Sequence, residues 1–325
     1  MRAIAISKPG GPDVLTLVER ESPQPSRGEV RVRVRGTAVN RADLLQRMGA
    51  YPAPPDAPPD IPGLEIAGEV NAVGPGVERL KVGDRVFGLV GGGGYAEEIV
   101  SHERALALIP EGMRFEDAAA VPEAYCTAHD AIVTQAQIKS GEVLLVHAVG
   151  SGVGTAAVQL ARALGATVIG TARTSDKLER AKELGMEFGI VAEGGTFADA
   201  ARKVAPDGVD VVLELVGGNY VAEDLRCIAT LGRIVLVGLM AGTKGDLDLG
   251  LVLRKRARIF GTVLRARPLE EKIAAMRAFE TQVVPLLARG ACKPIVDCVM
   301  PLADAARAHE RMQSNAGFGK IVLTC

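Results

Sequence analysis

Two hydrophobic rhythms divide this chain. From Glu29 to Arg35 valines alternate with charged residues, the period of a strand with one wet face. Short β segments follow at Leu64 to Ala72 and Asp84 to Val90, and Tyr95 to Val100 reads as another strand. Gly74-Pro-Gly76 and a four-glycine run, Gly91 to Gly94, punctuate them, and the four-glycine run reads as flexible. Residues 41–47 read as one or two helical turns. The first third is expected to be β-rich and full of loops.

The second rhythm begins at Val143. Val143 to Val146 is an unbroken apolar run, of the length and branching of a strand buried on both faces. Gly150, Gly152 and Gly154 come next, then apolar residues at helical spacing from Thr155 to Leu164, with Gly165 as a stop. Thr167 to Thr171 is a second strand, which completes a βαβ unit. Helices 176–184, 196–205 and 219–229 alternate with strands at Gly189 to Val191, Asp210 to Leu215, Arg233 to Val237 and Ile259 to Leu264. That alternation predicts an α/β fold with a doubly wound parallel sheet. The C-terminal stretch offers helices near Glu270 to Leu287 and Leu302 to Met312, and a strand at Lys320 to Thr324. Its spacing assigns it to neither domain.

At 325 residues the chain is long enough for two domains with separate cores. A net charge of −1 with 24% charged residues leaves no electrostatic footprint for nucleic acid or an anionic membrane. Pro and Gly interrupt the N-terminal segment before a signal-like apolar region forms. The glycines inside 143–161 argue against a membrane span there. A cytoplasmic protein without a membrane partner is expected. Cys126, Cys227, Cys292, Cys298 and Cys325 form no C-x-x-C pair, and His102, His129, His147 and His309 are scattered. Neither a disulfide framework nor a zinc site is expected.

The glycine turn carries the first chemical signal. Glycines between a strand and a helix let backbone approach a pyrophosphate, and the helix N-terminus offers unpaired N–H groups and a positive dipole end. Thr155 stands where the third glycine of the G-x-G-x-x-G pattern would be, so the strand–helix–strand context is what makes the turn a nucleotide site. The end of the second strand carries the next signal. A free ribose 2′-hydroxyl is usually held by a carboxylate about 20 residues past the glycines. From Thr155 to Ser175 there is none; instead come Arg173, Ser175 and Lys177, two cations and a hydroxyl suited to a 2′-phosphate. Ser175 or Asp176 as a helix N-cap is compatible with that reading. The missing carboxylate points to NADPH. Gly217, Gly218 and Gly238 close strand ends where a cofactor across the sheet's carboxyl edge needs bare backbone. In the first third, Tyr51 sits among Pro52, Pro54, Pro55, Pro58 and Pro59, a stiff setting that aims an aromatic at a fixed place or simply packs it.

The motifs together resemble one family. KPGGP at 8–12, NRADLLQRMGAY at 40–51, GLEIAGEV at 63–70, KVGDRV at 81–86 and PEAYCTA at 122–128 are the first of them. HAVGSGVGTAAVQLAR at 147–162, GRIVLVGLMAG at 232–242, LRARP at 264–268 and GKIVL at 319–323 extend the match nearly end to end. The chain resembles the zinc-free medium-chain dehydrogenases/reductases of the zeta-crystallin-like quinone oxidoreductase group, in the branch that includes the tumour-suppressor-inducible quinone oxidoreductase. The resemblance implies a GroES-like β-rich catalytic domain from residues 1–122 with 265–325. It places a Rossmann NADPH-binding domain at 123–264, with the active site in the cleft between them. It implies quinone reduction and a homodimer paired through the last strand of the nucleotide domain. Ser151, Gly152, Val153 and Gly154 then cover the pyrophosphate, and Arg173, Ser175 and Lys177 surround the 2′-phosphate. Asn40, Tyr51, Thr127 and Arg265 line the nicotinamide and substrate pocket. Met240 lies near the nicotinamide, Asn315 on the tail-side wall.

Zinc-dependent relatives carry a histidine in G-H-E and a lobe of four cysteines; here Gly63-Leu64-Glu65 replaces the first and glycines the second. Ala192 stands where a tyrosine often touches the adenosine phosphate, which leaves Arg173 and Lys177 with more of the cofactor choice. Missing metal fits quinone chemistry, because a reduced quinone is a delocalised anion with acidity near that of tyrosine, pKa about 10, whereas an alkoxide needs a Lewis acid or strong proton donor. A hydrogen bond from Tyr51 or Asn40, or water, serves such an anion. Two other readings stay open: reduction of activated C=C bonds in enals or enones, and a non-catalytic NADPH-binding role such as RNA binding. The absence of a basic, aromatic stripe weighs against RNA.

Overall fold

The alternation at Glu29 to Arg35 becomes the centre of a sheet. A computed structural model describes residues 1–325, and in it the strand Glu29–Ala38 buries Val30, Val32 and Val34 with charged side chains between them. It pairs antiparallel with Glu65–Val73, Glu98–His102 and the C-terminal Lys320–Thr324. Val296–Pro301, Arg85–Leu89 and Leu106–Leu108 complete a seven-stranded sheet. Val30, Val32, Val34, Ile66, Val70, Val86 and Leu106 make its apolar core. The tail that periodicity left unassigned is thus hydrogen-bonded into the sheet of the N-terminal part.

The apolar runs of the middle form six parallel strands. Their order across the sheet is Phe188–Val191, Thr167–Ala172, Val143–Val146, Val209–Glu214, Ile228–Leu236 and Arg258–Gly261. The helix Gly152–Ala163 follows the third of these in position and the first in sequence, as the buried face of Ala156, Ala157, Leu160 and Ala161 requires. Leu145, Ile169, Val212, Leu225 and Ile234 are fully buried between sheet and helices. This is a doubly wound sheet of the Rossmann type.

Two compact units result, Met1–Cys126 with Leu264–Cys325 and Thr127–Val263. The division falls after Cys126 rather than Pro122, and before Leu264 rather than after it. No helix is long and apolar enough to cross a membrane.

Several local expectations need correction. The glycine run is not loose: Gly92, Gly93 and Gly94 are buried, and a Cβ on Gly94 would meet the Glu65 and Gly63 carbonyls at 3.0 Å. Tyr95 precedes its strand and is fully buried. The strand expected at Ile259 to Leu264 is the shorter Arg258–Gly261, and the helix expected from Glu270 to Leu287 divides into Leu269–Gln282 and Val284–Ala288, with Pro285 in the first turn of the second. Helices Pro122–His129 and Leu249–Lys255 carried no clear periodic signal.

Candidate active site

Asn40 caps the helix Arg41–Arg47, and Tyr51 lies just beyond that helix's end. At the cap, the Asn40 backbone N–H donates to Asp43 Oδ2 at 2.8 Å, half of a capping box. The Asn40 amide Nδ2 donates to the Ala38 carbonyl at 3.1 Å and to Glu65 Oε1 at 2.9 Å. Its Oδ1 accepts from Lys320 Nζ at 2.5 Å. Lys320 in turn lies 2.7 Å from Glu65 Oε1, both side chains buried, and Glu65 Oε2 accepts the Glu123 N–H at 2.8 Å. Both Nδ2 hydrogens are therefore used inside this unit. Asn40 cannot also donate to a substrate oxygen, which corrects the expectation of a donor there; it holds Glu65 and Lys320 in register instead.

Tyr51 is the other candidate donor. Its ring lies under the Arg265 guanidinium, 5.1 Å from Cζ to the centroid. Arg265 is buried and donates to the Gly91 carbonyl at 2.8 Å, to the Tyr51 carbonyl at 3.3 Å and to Gln46 Oε1. Gln46 Nε2 reaches the Pro59 carbonyl at 3.1 Å, and Lys272 meets Asp56 at 3.2 Å. The proline loop is thus fastened at both ends. Burial raises the Tyr51 phenol above its usual range, against the opposing pull of Arg265, so it stays protonated at neutral pH. A second buried polar group lies beneath: Tyr95 donates towards Asp43 Oδ2 at 3.3 Å, and its oxygen is 3.1 Å from His309 Nε2, while Arg47 lies 3.2 Å from His309 Nδ1. Burial pushes Asp43 up to about 6 and His309 down to about 3.

In the other unit the sequence-predicted groups follow the carboxyl ends of neighbouring parallel strands. Ser151 caps the helix Gly152–Ala163, its Oγ accepting the Gly154 N–H at 3.0 Å. The N–H groups of Gly152 and Val153, in the first turn of this helix, have no intrahelical acceptor. A Cβ on Gly154 would meet the Ala148 carbonyl at 2.7 Å and Val149 Cα at 2.8 Å, so backbone fills the inner side of this turn. Arg173 and Ser175 are exposed and Lys177 half-buried after the adjacent strand Thr167–Ala172, where Thr174 is the N-cap of Ser175–Lys182. Gly238 packs against Leu215, where a Cβ would meet its carbonyl at 2.5 Å, and Gly217 bridges to Gly242. Met240 is exposed beside that bridge, and Thr127 is buried on the helix Pro122–His129. Asn315, left-handed at the end of the helix Ala305–Ser314, accepts from Arg41 and belongs to the first unit. The open turn after Val143–Val146 and the cationic end of Thr167–Ala172 fit a phosphorylated dinucleotide.

Residues 26–111 match the family model described as Alcohol dehydrogenase GroES-like domain, and residues 152–281 the one described as Zinc-binding dehydrogenase. The quinone oxidoreductase of Sus scrofa is 33% identical over 99% of this chain and 97% of its own length. The chain belongs to the medium-chain dehydrogenase/reductase family, in its quinone oxidoreductase group. The chain is also 34% identical to the Mus musculus synaptic vesicle membrane protein VAT-1 homolog, over 99% of this chain and 83% of the other. The crystal structure of the Escherichia coli quinone oxidoreductase complexed with NADPH superposes with a TM-score of 0.88, 30% identity and complete coverage of both chains.

The residues at the zinc-ligand positions of zinc-dependent relatives fit a zinc ion poorly. Leu64 stands beside Glu65 in place of an imidazole, and Glu65 is already neutralised by a buried ammonium. The fold does assemble one group that sequence reading missed: His147, Glu214 and Asp224, buried, with their ligand atoms within 4.8 Å of one another. The scattered positions of the histidines along the chain carry no sign of it. His147 Nε2 is 2.7 Å from Asp224 Oδ1, a hydrogen-bond separation, whereas two ligands of one tetrahedral zinc stand roughly 3.3 Å apart. A surface cavity of about 500 Å³ lined by Asp199, Arg202, Lys203, Arg226 and Leu251 contains none of the expected site residues.

Proposed function

We propose that this reductase uses NADPH to reduce quinones without a metal. The observation that carries the reading is Tyr51: a protonated phenol on a fastened loop, stacked under a buried guanidinium, with no hydrogen-bond partner for its hydroxyl in the protein. The cofactor assignment rests on the open glycine turn, on Arg173, Ser175 and Lys177, and on relatives such as the NADPH-complexed E. coli quinone oxidoreductase.

When bound, NADPH supplies a hydride from its nicotinamide ring. The N–H groups of Gly152 and Val153 would hold the pyrophosphate, and Arg173, Ser175 and Lys177 the 2′-phosphate. Thr127, Gly238, Met240 and Asn315 complete the set assigned to the nicotinamide side. Tyr51 stays protonated and donates a hydrogen bond from Oη to the oxygen that gains charge as the acceptor is reduced. Arg265 keeps the ring in place and adds a nearby positive charge that favours an anion. The aromatic face suits a flat acceptor.

A homodimer is part of the proposal: Arg258–Gly261 lies at one edge of the six-stranded sheet, where a second copy would complete its pairing. A cytoplasmic location accords with the lack of a membrane-length apolar helix. Steady-state kcat/KM for a series of 1,2- and 1,4-quinones beside a series of enals and enones tests the assignment. Quinones should lead by at least about tenfold, a difference of roughly 1.4 kcal/mol in barrier; equal or better use of enones would move the activity to C=C reduction.

A further inference from the structure

Glu214 ends the strand Val209–Glu214, Asp224 lies on the helix Tyr220–Cys227, and His147 follows Val143–Val146; all three are fully buried. Their contacts form a chain. His147 Nδ1 is 2.8 Å from Thr171 Oγ1, and its Nε2 is 2.7 Å from Asp224 Oδ1 and 3.8 Å from Glu214 Oε2. Glu214 Oε1 accepts the N–H groups of Val216 and Gly217, the latter at 2.8 Å. The rings of Phe197 and Tyr220 close over His147 at 4.6 and 5.0 Å.

Two oxygens break the pattern. Glu214 Oε2 and Asp224 Oδ2 are buried and have no hydrogen-bond partner. Two ionised carboxylates side by side beside a neutral imidazole would be strongly destabilising. One proton resolves the arrangement. Thr171 Oγ1–H donates to His147 Nδ1 and His147 Nε2–H donates to Asp224 Oδ1, and a protonated Glu214 carboxyl would share its hydrogen with the neighbouring Asp224 carboxylate. The cluster then carries a single negative charge rather than two.

We propose that Glu214 is a positioning residue for the cofactor. It holds one proton in common with Asp224, and through that proton and His147 it locks the turns after three neighbouring strands into the geometry that receives NADPH. The turns are the glycine turn that His147 opens, the strand end at Thr171, and the Val216–Gly217 turn that Glu214 Oε1 fastens. The inference rests on the NADPH reading above. Burial raises Glu214 to about 7 and Asp224 to about 8, and lowers His147 to about 4. The other groups facing the cluster are Tyr220, whose phenol burial raises and Arg173 opposes, Glu223, held low by the Phe197 and Ala198 N–H groups and by Arg226, and Cys227, whose thiol burial raises with Lys255 opposing. None of these changes charge between pH 6.5 and 8.

The sign follows from which state holds the proton. In that window the native cluster binds a proton that the unfolded carboxyls have lost, so stability falls as pH rises, and levels off once the native pair is ionised. His147 and His309, depressed in the native state, act in the opposite direction only below about pH 6.5. NADPH affinity should weaken above pH 7–8 by up to about tenfold per unit, the slope of one linked proton.

The test measures NADPH Kd by fluorescence titration and the melting temperature of the cofactor-free protein, from pH 6.5 to 9, for wild type, Glu214→Gln and Glu214→Ala. The amide of Glu214→Gln donates permanently to Asp224 and still accepts from Val216 and Gly217. It should keep the wild-type Kd at pH 7 within about twofold and flatten both pH courses, while Glu214→Ala should bind at least about tenfold more weakly at every pH. Flat wild-type courses, an unchanged slope in Glu214→Gln, or Glu214→Gln binding as weakly as Glu214→Ala would overturn the proposal. Wild type failing to bind NADPH at any pH would instead remove the cofactor assignment on which it rests.

Discussion

The Arg265 guanidinium lies 5.1 Å above the ring of Tyr51 and donates to the same residue's carbonyl at 3.3 Å, so one side chain fixes both the ring and its backbone. These two residues are far apart in sequence and belong to one unit. Tyr51→Phe keeps the stacking and removes only the hydroxyl. It should lower kcat for quinone by about tenfold, the contribution of one neutral hydrogen bond made to a developing anion, and leave the NADPH Kd unchanged. Because burial raises the phenol, Tyr51 should impose no alkaline limb on kcat below about pH 9. Arg265→Ala should cost more, since the Gln46 and Gly91 acceptors lose a buried donor, about 1–3 kcal/mol by urea unfolding.

Cofactor choice should reside at the end of Thr167–Ala172. Arg173→Ala with Lys177→Ala is expected to raise the NADPH KM by roughly ten- to a hundredfold and leave NADH nearly untouched. Because Arg173 is exposed, the effect should shrink at high salt. NADPH preference surviving in the double variant would contradict the assignment of the 2′-phosphate.

The legibility of this chain in its sequence follows the kind of interaction involved. Period-two alternation marked Glu29–Ala38, and unbroken apolar runs marked the parallel strands, because burial of valine and leucine is a local signal. The glycine turn was legible for the same reason, since strand, turn and helix are contiguous. The helix Leu249–Lys255 was not, because Leu249 and Leu253 are exposed and only the adjacent Leu251 and Val252 pack against the core. Polar partnerships escaped altogether. Nothing near Lys320 announces Glu65, and His147 meets Asp224 across 77 residues. The commitment of Asn40 to Glu65 and Lys320, which removes it as a donor, is visible only once three strands have assembled.

The Lys320–Glu65 pair gives a stability prediction. Lys320→Met leaves Glu65 as a buried carboxylate with no ammonium, so unfolding free energy should fall by about 3–5 kcal/mol. Adding Glu65→Gln removes the stranded charge and should restore part of the loss. Urea denaturation of the two variants checks this; a double variant less stable than the single would mean the pair is not the source.

Gly154→Ala probes the turn itself. The added methyl would meet the Ala148 carbonyl at 2.7 Å and Val149 Cα at 2.8 Å, backbone atoms that cannot swing aside. A loss of about 1–3 kcal/mol in stability is expected, with NADPH and NADH weakened alike through the shared pyrophosphate turn. Selective loss of one cofactor would place the turn's role elsewhere.

NADPH-dependent quinone reduction carried by Tyr51 and its surroundings without zinc is best probed by NADPH oxidation with a 1,4-quinone after exhaustive chelation. Metal content of the same sample is determined alongside, with NADH as the parallel donor. Metal-stripped protein should keep full turnover, with a kcat/KM for NADPH at least about tenfold above that for NADH. Loss of turnover on chelation with recovery on adding zinc, or no quinone turnover with either cofactor, would contradict that expectation.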